Sequence, residues 1–166
     1  NLKNKNKLIK LESVRFNVDI KSFINKKFSL SELDINTRTI EIKNLISFVR
    51  SIKDSPQIYI LEKFVKKGYL IADINLKFDQ KGNIKDDFII KGFVKDGEVK
   101  PLKKINLSKI SLIFNLQNNK FEFKDINLSY DNNDLTFPEL NIKKQKNKFI
   151  VSGKNNSKNL VLDNKK

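Results

Sequence analysis

The sequence predicts a mainly β protein, an elongated meandering antiparallel sheet curved into a groove, with two short helices packed on it. Three observations predict this fold class. Apolar and polar residues alternate through most of the chain, which is the period of a strand with one buried face. Clusters of Asn, Asp, Lys and Gly separate the alternating segments, as turns do. Helical spacing of apolar residues occurs in one stretch, residues 44–67.

In the N-terminal third of the chain, apolar and polar residues alternate in three short segments. Residues 14–20 and 28–35 each predict a strand, with a slip of phase at Glu32 in the second. Ile40 and Ile42 predict a short third strand. Residues 1–166 are expected to form one segment of a larger protein, because the chain begins with Asn and has the length of a single domain.

The helical stretch predicts two short helices. Asn44 is the expected N-cap of the first, and Ser55-Pro56 is the expected start of the second. Gly68 is the expected left-handed stop after the second helix. One side of this stretch is apolar, and we expect it to pack across one end or one open side of the sheet. That side comprises Ile58, Leu61, Phe64 and Val65.

Residues 69–153 predict a β meander, and residues 154–166 a loose polar tail. Turns are expected at 79–82, 96–97, 118–119 and 131–134. The apolar phase changes at Lys124-Asp125, which predicts a β-bulge. Pro138 cannot donate a backbone hydrogen bond, so it predicts a break or a sheet edge.

The charge of +15 first suggests an anionic partner. Almost all of that charge is Lys, and the arginines, which recognise phosphate and guanine best, are only Arg15, Arg38 and Arg50. The lysines are scattered between strands. We therefore interpret them as a solvated surface and expect no nucleic-acid partner.

The composition also limits the chemistry. The chain has no Cys and no His, which excludes disulfides, thiolate catalysis and imidazole bases. The carboxylates at 86–87 and 131–134 lie in expected turns, and no glycine-rich phosphate loop is present. We expect a protein that is not an enzyme and that has no metal and no cofactor. The sequence also has no apolar run long enough for a transmembrane helix, which leaves open an anchor or a signal before Asn1.

The apolar faces of the strands must be buried against something. Two short helices cannot cover about eight strands spaced about 4.8 Å apart. Two possibilities remain open, a sheet that closes on itself as a sandwich or barrel, and a curved groove whose lining stays available to lipid. We predict that residues of one parity share this lining. They are Ile74, Leu76, Phe88, Ile90, Leu112, Phe114, Phe121 and Phe123.

The stretch from Ile58 to Gly153 resembles the AsmA-like family, in particular the group that includes YhdP-type, repeating β-groove bridge-like proteins. The resemblance lies in a helix that ends near a Gly, followed by a strand and a hairpin of the form G-x-V-x-D-G-x-V. The matching residues are Gly68, Gly92, Val94, Asp96, Gly97 and Val99. ISLIFNLQNNKFEFKDINLSY and KFIVSGK resemble the hairpin and strand that follow in the family. Where such proteins often have Trp in the helix, this chain has Phe64.

This resemblance implies a non-enzymatic lipid-transfer segment, part of the cell envelope and outer-membrane biogenesis of a diderm bacterium. It implies a periplasmic location, an inner-membrane anchor outside this chain, and a groove that carries phospholipid acyl chains between the two membranes. Envelope proteins are then possible further partners. The alternative hypotheses are a self-closed β-sandwich or adaptor domain of an envelope protein without lipid, and a binder of nucleic acid or of anionic surfaces that uses the charge of +15. Bound phospholipid would distinguish the first two, and strong salt dependence would indicate the third.

Overall fold

The computed structural model describes residues 11–18, 30–52, 56–79, 81–146 and 148–154. In these residues the predicted fold class is confirmed: nine strands form one open antiparallel sheet, accompanied by two short helices. The strands are β1 Leu11–Val18, β2 Leu30–Thr37, β3 Ile40–Glu41, β4 Val65–Lys77, β5 Ile89–Leu102, β6 Ile105–Gln117, β7 Lys120–Tyr130, β8 Asn133–Gln145 and β9 Lys148–Lys154. The helices are α1 Ile42–Ile52 and α2 Pro56–Phe64.

The sheet is a meander whose strand order nearly follows the chain. The order is β1-β2-β4-β5-β6-β7-β8-β9, and β3 pairs with β4 beside β2. Every pairing is antiparallel. In the part of the chain that the structure describes, β1 and β9 form the two edges, so the sheet is not closed into a barrel.

Three of the four predicted turns are present. Asp79 accepts hydrogen bonds at Oδ1 from the backbone N–H groups of Lys81 and Asn83, at 2.8 and 2.9 Å. Asn118 and Asn119 connect β6 to β7. Asp131 and Asn132 have φ of 49° and 62°, which makes the tight two-residue hairpin between β7 and β8 that such residues favour.

The turn predicted at Asp96-Gly97 is wrong. β5 continues through both residues, and the chain turns later, between Leu102 and Ile105. Asp96 has φ of 52°, and the register with β6 shifts between Val94 and Gly97. The pair therefore forms a β-bulge, which requires the same left-handed backbone as a hairpin turn and so gives the same sequence signal.

The predicted helix boundaries need two corrections. α1 begins at Ile42, so Ile42 is not in the third strand, and Asn44 is not the N-cap. Asn44 instead donates from Nδ2 to Glu41 Oε2 at 3.3 Å.

Gly68 is not the stop of α2, since α2 ends at Phe64 and Gly68 lies inside β4. A Cβ at Gly68 would lie 2.9 Å from Gly97 Cα and from Ile42 Cδ1, so close packing explains this glycine. Pro56 starts α2 as predicted, while Ser55 lies outside the described residues.

The predicted bulge at Lys124-Asp125 is confirmed, with Asp125 at φ of 50° and a register shift against β6. Pro138 does not break β8. The described pairing of β8 with β9 ends at Glu139, and Pro138 is the residue before it. Pro138 therefore does not need to donate a backbone hydrogen bond to β9. Three further predictions fall on residues outside the described ones. They are the end of the first strand at residue 20, the start of the second at residue 28, and the loose tail over 155–166.

The helices pack at one end of the central strands. α1 contacts β3 and β4, and α2 contacts β4 and β5. Ile42 and Leu45 of α1 lie against the buried cluster of the sheet, and Ile46 is buried. The apolar side predicted for the second helix is only partly turned inwards, since Leu61 is 50% exposed. An ion pair between Arg50 and Glu62 joins the two helices.

Candidate functional site: the inner face of the sheet

One face of the sheet carries an apolar side chain on every strand of the path. Directly opposite residues of paired strands point to the same side, so the register defines continuous rows. The longest row, here called the long row, crosses eight strands. It consists of Val14, Ile35, Ile74, Ile90, Leu116, Phe121, Ile142 and Val151. We call the face that carries it the inner face and the opposite face the outer face.

A second row lies beside the long row and alternates small and large residues. It consists of Ala72, Gly92, Phe114, Phe123, Leu140 and Gly153. A Cβ at Gly92 would lie 2.9 Å from Cζ of Phe114, so the Phe114 ring covers this glycine. Ala72 is almost fully buried, and its backbone N–H donates to Thr37 Oγ1 at 2.8 Å. The row is therefore tightly packed in the middle strands.

A third row, here called the covered row, lies under the helices. It consists of Ile40, Leu70, Val94 and Leu112. Ile42 and Leu45 of α1 pack against the buried cluster of Ile40, Leu70, Ala72 and Phe114. The helices contact β3, β4 and β5. In the long row, by contrast, Val14 and Val151 are exposed and the other six residues are half-buried. The inner face therefore has a covered end, at the helices, and an open end, along the long row.

The two faces differ in exposure although both carry aromatic and branched residues. Phe114 on the inner face is 8% exposed, whereas Phe93, on the neighbouring strand and the outer face, is 40% exposed. Ile71 and Ile113 flank Phe93 on the outer face and are exposed too. Phe114 belongs to the buried cluster against which Ile42 and Leu45 of α1 and Phe123 of β7 pack. The inner-face side chains therefore cover one another and are partly covered by α1, whereas the outer-face side chains around Phe93 stay exposed.

Seven of the eight predicted lining residues lie in strands and on the inner face. Ile74, Ile90 and Phe121 lie in the long row, Phe114 and Phe123 in the second row, Leu112 in the covered row, and Leu76 opposite Leu33 of β2. Phe88 differs, because it precedes β5 by one residue and has no cross-strand partner.

The sequence prediction missed the contribution of the outer strands. Ile35 and Val14 on one side, and Ile142 and Val151 on the other, continue the long row to both edges. Alternation placed each of these residues on one face of a strand. The pairing of the strands and their register, however, are properties of the whole sheet. Leu116 was missed although its parity matches Phe114.

Among the described residues, the ionised groups with clearly shifted pKa values form surface ion pairs, except Asp79, whose carboxylate accepts hydrogen bonds within its turn. Lys120 donates to Glu122 at 2.6 Å, and this hydrogen bond lowers the pKa of the Glu122 carboxyl. Lys77 and Asp87 pair at 2.9 Å, which raises the pKa of Lys77 and lowers that of Asp87. Each shift favours the charged form, as in ordinary surface ion pairs. The described residues contain no group of three or more potential metal ligands.

The outer face has a smaller apolar feature. Tyr69, Ile71 and Phe93 line a depression of about 340 Å³, with Lys95 and Asp96 beside them. Unlike the long row, this feature is limited to the middle strands. Next to Ile113 the outer face of β6 and β7 is polar, where Asn115 donates to Glu122 at 2.9 Å.

No protein-family model, no curated protein and no solved structure matches this chain. Neither described helix is long and apolar enough to cross a membrane.

Proposed function

We propose that this chain is a non-enzymatic lipid-binding segment of a larger envelope protein, and that its inner face holds phospholipid acyl chains. In this proposal the segment lies in the periplasm of a diderm bacterium, a part of the protein outside this chain anchors it to the inner membrane, and lipid passes toward the outer membrane. The long row is the observation that supports the proposal, because it is apolar on eight neighbouring strands and is half-buried in the middle and exposed at both ends.

The dimensions of the long row suit an acyl chain. Seven inter-strand spacings of about 4.8 Å give a path of about 34 Å. The acyl chains of one leaflet reach about half of a hydrocarbon core that is about 30 Å thick. An acyl chain lying along the row would gain about 0.8 kcal/mol for each CH2 group removed from water, without any specific polar contact. Binding of this kind is non-directional, which suits movement along the row.

The alternative of a self-closed sandwich has less support. Such a domain needs a second sheet or a closing pair of strands to bury its apolar face. The described residues form a single sheet with two separate edges. The open end of the inner face therefore needs another cover, and an apolar ligand provides one.

Two measurements test the proposal. The purified chain is first extracted and analysed for bound phospholipid by mass spectrometry, with phospholipid expected. The chain is then incubated with donor and acceptor vesicles that carry a fluorescent phospholipid, and the rate of transfer is measured. The Phe121→Asp variant should lose transfer, because a carboxylate in the long row is costly to desolvate beside an acyl chain.

The Phe93→Asp variant is the matched control. It makes the same substitution in a nearby strand, but on the outer face. Transfer by this variant should remain close to that of the unmodified chain. Circular dichroism of both variants establishes that they are folded. Equal transfer by the two folded variants, or a chain without phospholipid that transfers none, would contradict the proposal.

A further inference from the structure

Of the two edge strands of the described sheet, β9 is unusually open to pairing, whereas β1 carries Arg15 and has a regular register only from Ser13 to Asn17. Edge strands usually carry charges, proline or a bulge that discourage another strand from adding to them. β9 reads KFIVSGK, with lysines only at its ends and a regular register with β8. Phe149 on β9 and Phe16 on β1 are 63% and 62% exposed, since each has a neighbouring strand on one side only among the described residues.

The strand directions make these edges compatible with each other. Eight strands lie on the pairing path and alternate in direction, so β9 runs opposite to β1. If β1 of a second copy lies next to β9 of the first copy, the two strands are therefore antiparallel, and the alternation of strand directions continues. It would also continue the inner face, because Val14 and Val151 are the two ends of the same long row.

The side chains match in this register. With Val14 of the second copy opposite Val151, Phe16 lies opposite Phe149, and all four residues are on the inner face. An aromatic pair and a β-branched pair are favourable cross-strand combinations. On the outer face, Lys148 of β9 then lies opposite Asn17, whose side chain donates to Glu32 at 2.8 Å, so a lysine approaches a carboxylate.

We propose that copies of this chain associate head to tail, with β1 of one copy paired with β9 of the next in the register that places Val14 opposite Val151. The pairing joins the long rows of successive copies into one continuous apolar face. Association of this type uses two different surfaces and does not close on itself, so it adds copies as concentration rises. The proposal does not depend on lipid binding.

Single-end variants test this arrangement by sedimentation velocity of the full 166-residue chain. The unmodified chain should form larger species over a range of micromolar concentrations. Val14→Glu blocks β1, and Val151→Glu blocks β9, and each variant alone should associate at least about tenfold more weakly because an unpaired charge enters the interface. The two blocked ends carry the same charge, so they also repel each other in a mixture. An equimolar mixture of the two variants should form a 1:1 dimer, since each supplies the edge that the other has lost.

Two further measurements sharpen the result. Ile113→Glu adds the same charge to an exposed residue of the outer face, and this variant should associate like the unmodified chain. The chain has no Cys, so Val14→Cys and Val151→Cys chains, mixed under mild oxidation, should form a disulfide between copies. Ile150 lies on the other face of β9, so a mixture of Val14→Cys and Ile150→Cys chains should not form this disulfide.

Three results would overturn the proposal. The first is an unmodified chain that stays monomeric throughout the concentration range. The second is self-association of Val14→Glu alone with the strength of the unmodified chain, which would indicate that two β9 edges pair with each other. The third is a mixture of Val14→Glu and Val151→Glu that stays monomeric while both variants are folded by circular dichroism.

Discussion

The covered end and the open end of the inner face are made of the same residue types but are in different surroundings. At the covered end, Leu70 and Val94 lie near α1, and Ile42 and Leu45 complete a conventional core. At the open end, Ile74, Ile90 and Phe121 lie in the long row and are half-buried, and the row ends at the exposed Val14 and Val151. The comparison teaches that one alternating pattern can provide both a buried core and a partly exposed apolar surface, depending on where the few helices are placed.

The largest expected effect comes from Phe114, which is buried and covers Gly92. Phe114→Ala should lower the free energy of unfolding by about 3–5 kcal/mol, measured by urea denaturation. Phe121→Ala, at the open end, removes the same atoms from a half-buried position and should cost about 1 kcal/mol. Equal losses from the two variants would show that the open end is as much a part of the core as the covered end.

The next effect tests the helices as the cover. Ile46 of α1 is buried, so Ile46→Ala should cost about 2–4 kcal/mol in the same measurement. Leu61 of α2 is half exposed, and Leu61→Ala should change stability by less than about 0.5 kcal/mol. The exposure of Phe64 is intermediate. The loss of unfolding free energy in Phe64→Ala should therefore lie between those of the other two variants, below the loss of about 3–5 kcal/mol for a fully buried Phe. A reversed order would mean that α2, rather than α1, covers the sheet.

A smaller effect is expected at Gly92, between the two ends. A Cβ there would lie 2.1 Å from the carbonyl oxygen of Ile71, so Gly92→Ala should separate β4 from β5 and cost about 1–3 kcal/mol. Gly82→Ala is a useful comparison, because its Cβ meets no atom within 4 Å and only its φ of 81° is strained. Thermal unfolding of both variants distinguishes crowding from backbone strain. A Gly92→Ala chain as stable as the unmodified one would contradict the close approach of Phe114.

The smallest effect concerns the turn that connects β4 and β5 at the open end. The side-chain amide of Asn83 lowers the pKa of Asp79, assisted by the backbone N–H groups of Asn83 and Lys81. A lowered pKa in the folded state stabilises the fold above the unfolded pKa of about 3.9, and the stabilisation is lost as the pH falls through the folded value. Asp79→Ala should therefore lower the melting temperature slightly at pH 7, and the difference should vanish in acid. A difference that persists in acid would assign the effect to the turn backbone instead.

Much of this fold could be predicted from local pattern. Alternation located the strands, and Asn-rich pairs located the turns at 118–119 and 131–134. Asp96-Gly97 misled the prediction because a bulge and a turn need the same backbone conformation. For the site, alternation identified seven residues of the inner face, whereas the extension of the long row to Val14 and Val151 depends on the pairing of eight strands. Pairing is set by packing across the sheet, which no local pattern contains.

The central claim is that the open end of the inner face contacts acyl chains, and photo-crosslinking tests it most directly. A photoreactive phenylalanine is placed at Phe121, on the inner face, or at Phe93, on the outer face, and the chain is irradiated with phospholipid vesicles. Mass spectrometry of the folded protein should find phospholipid attached at position 121 and little or none at position 93. Phospholipid at neither position, or equally at both, would contradict a lipid-binding inner face.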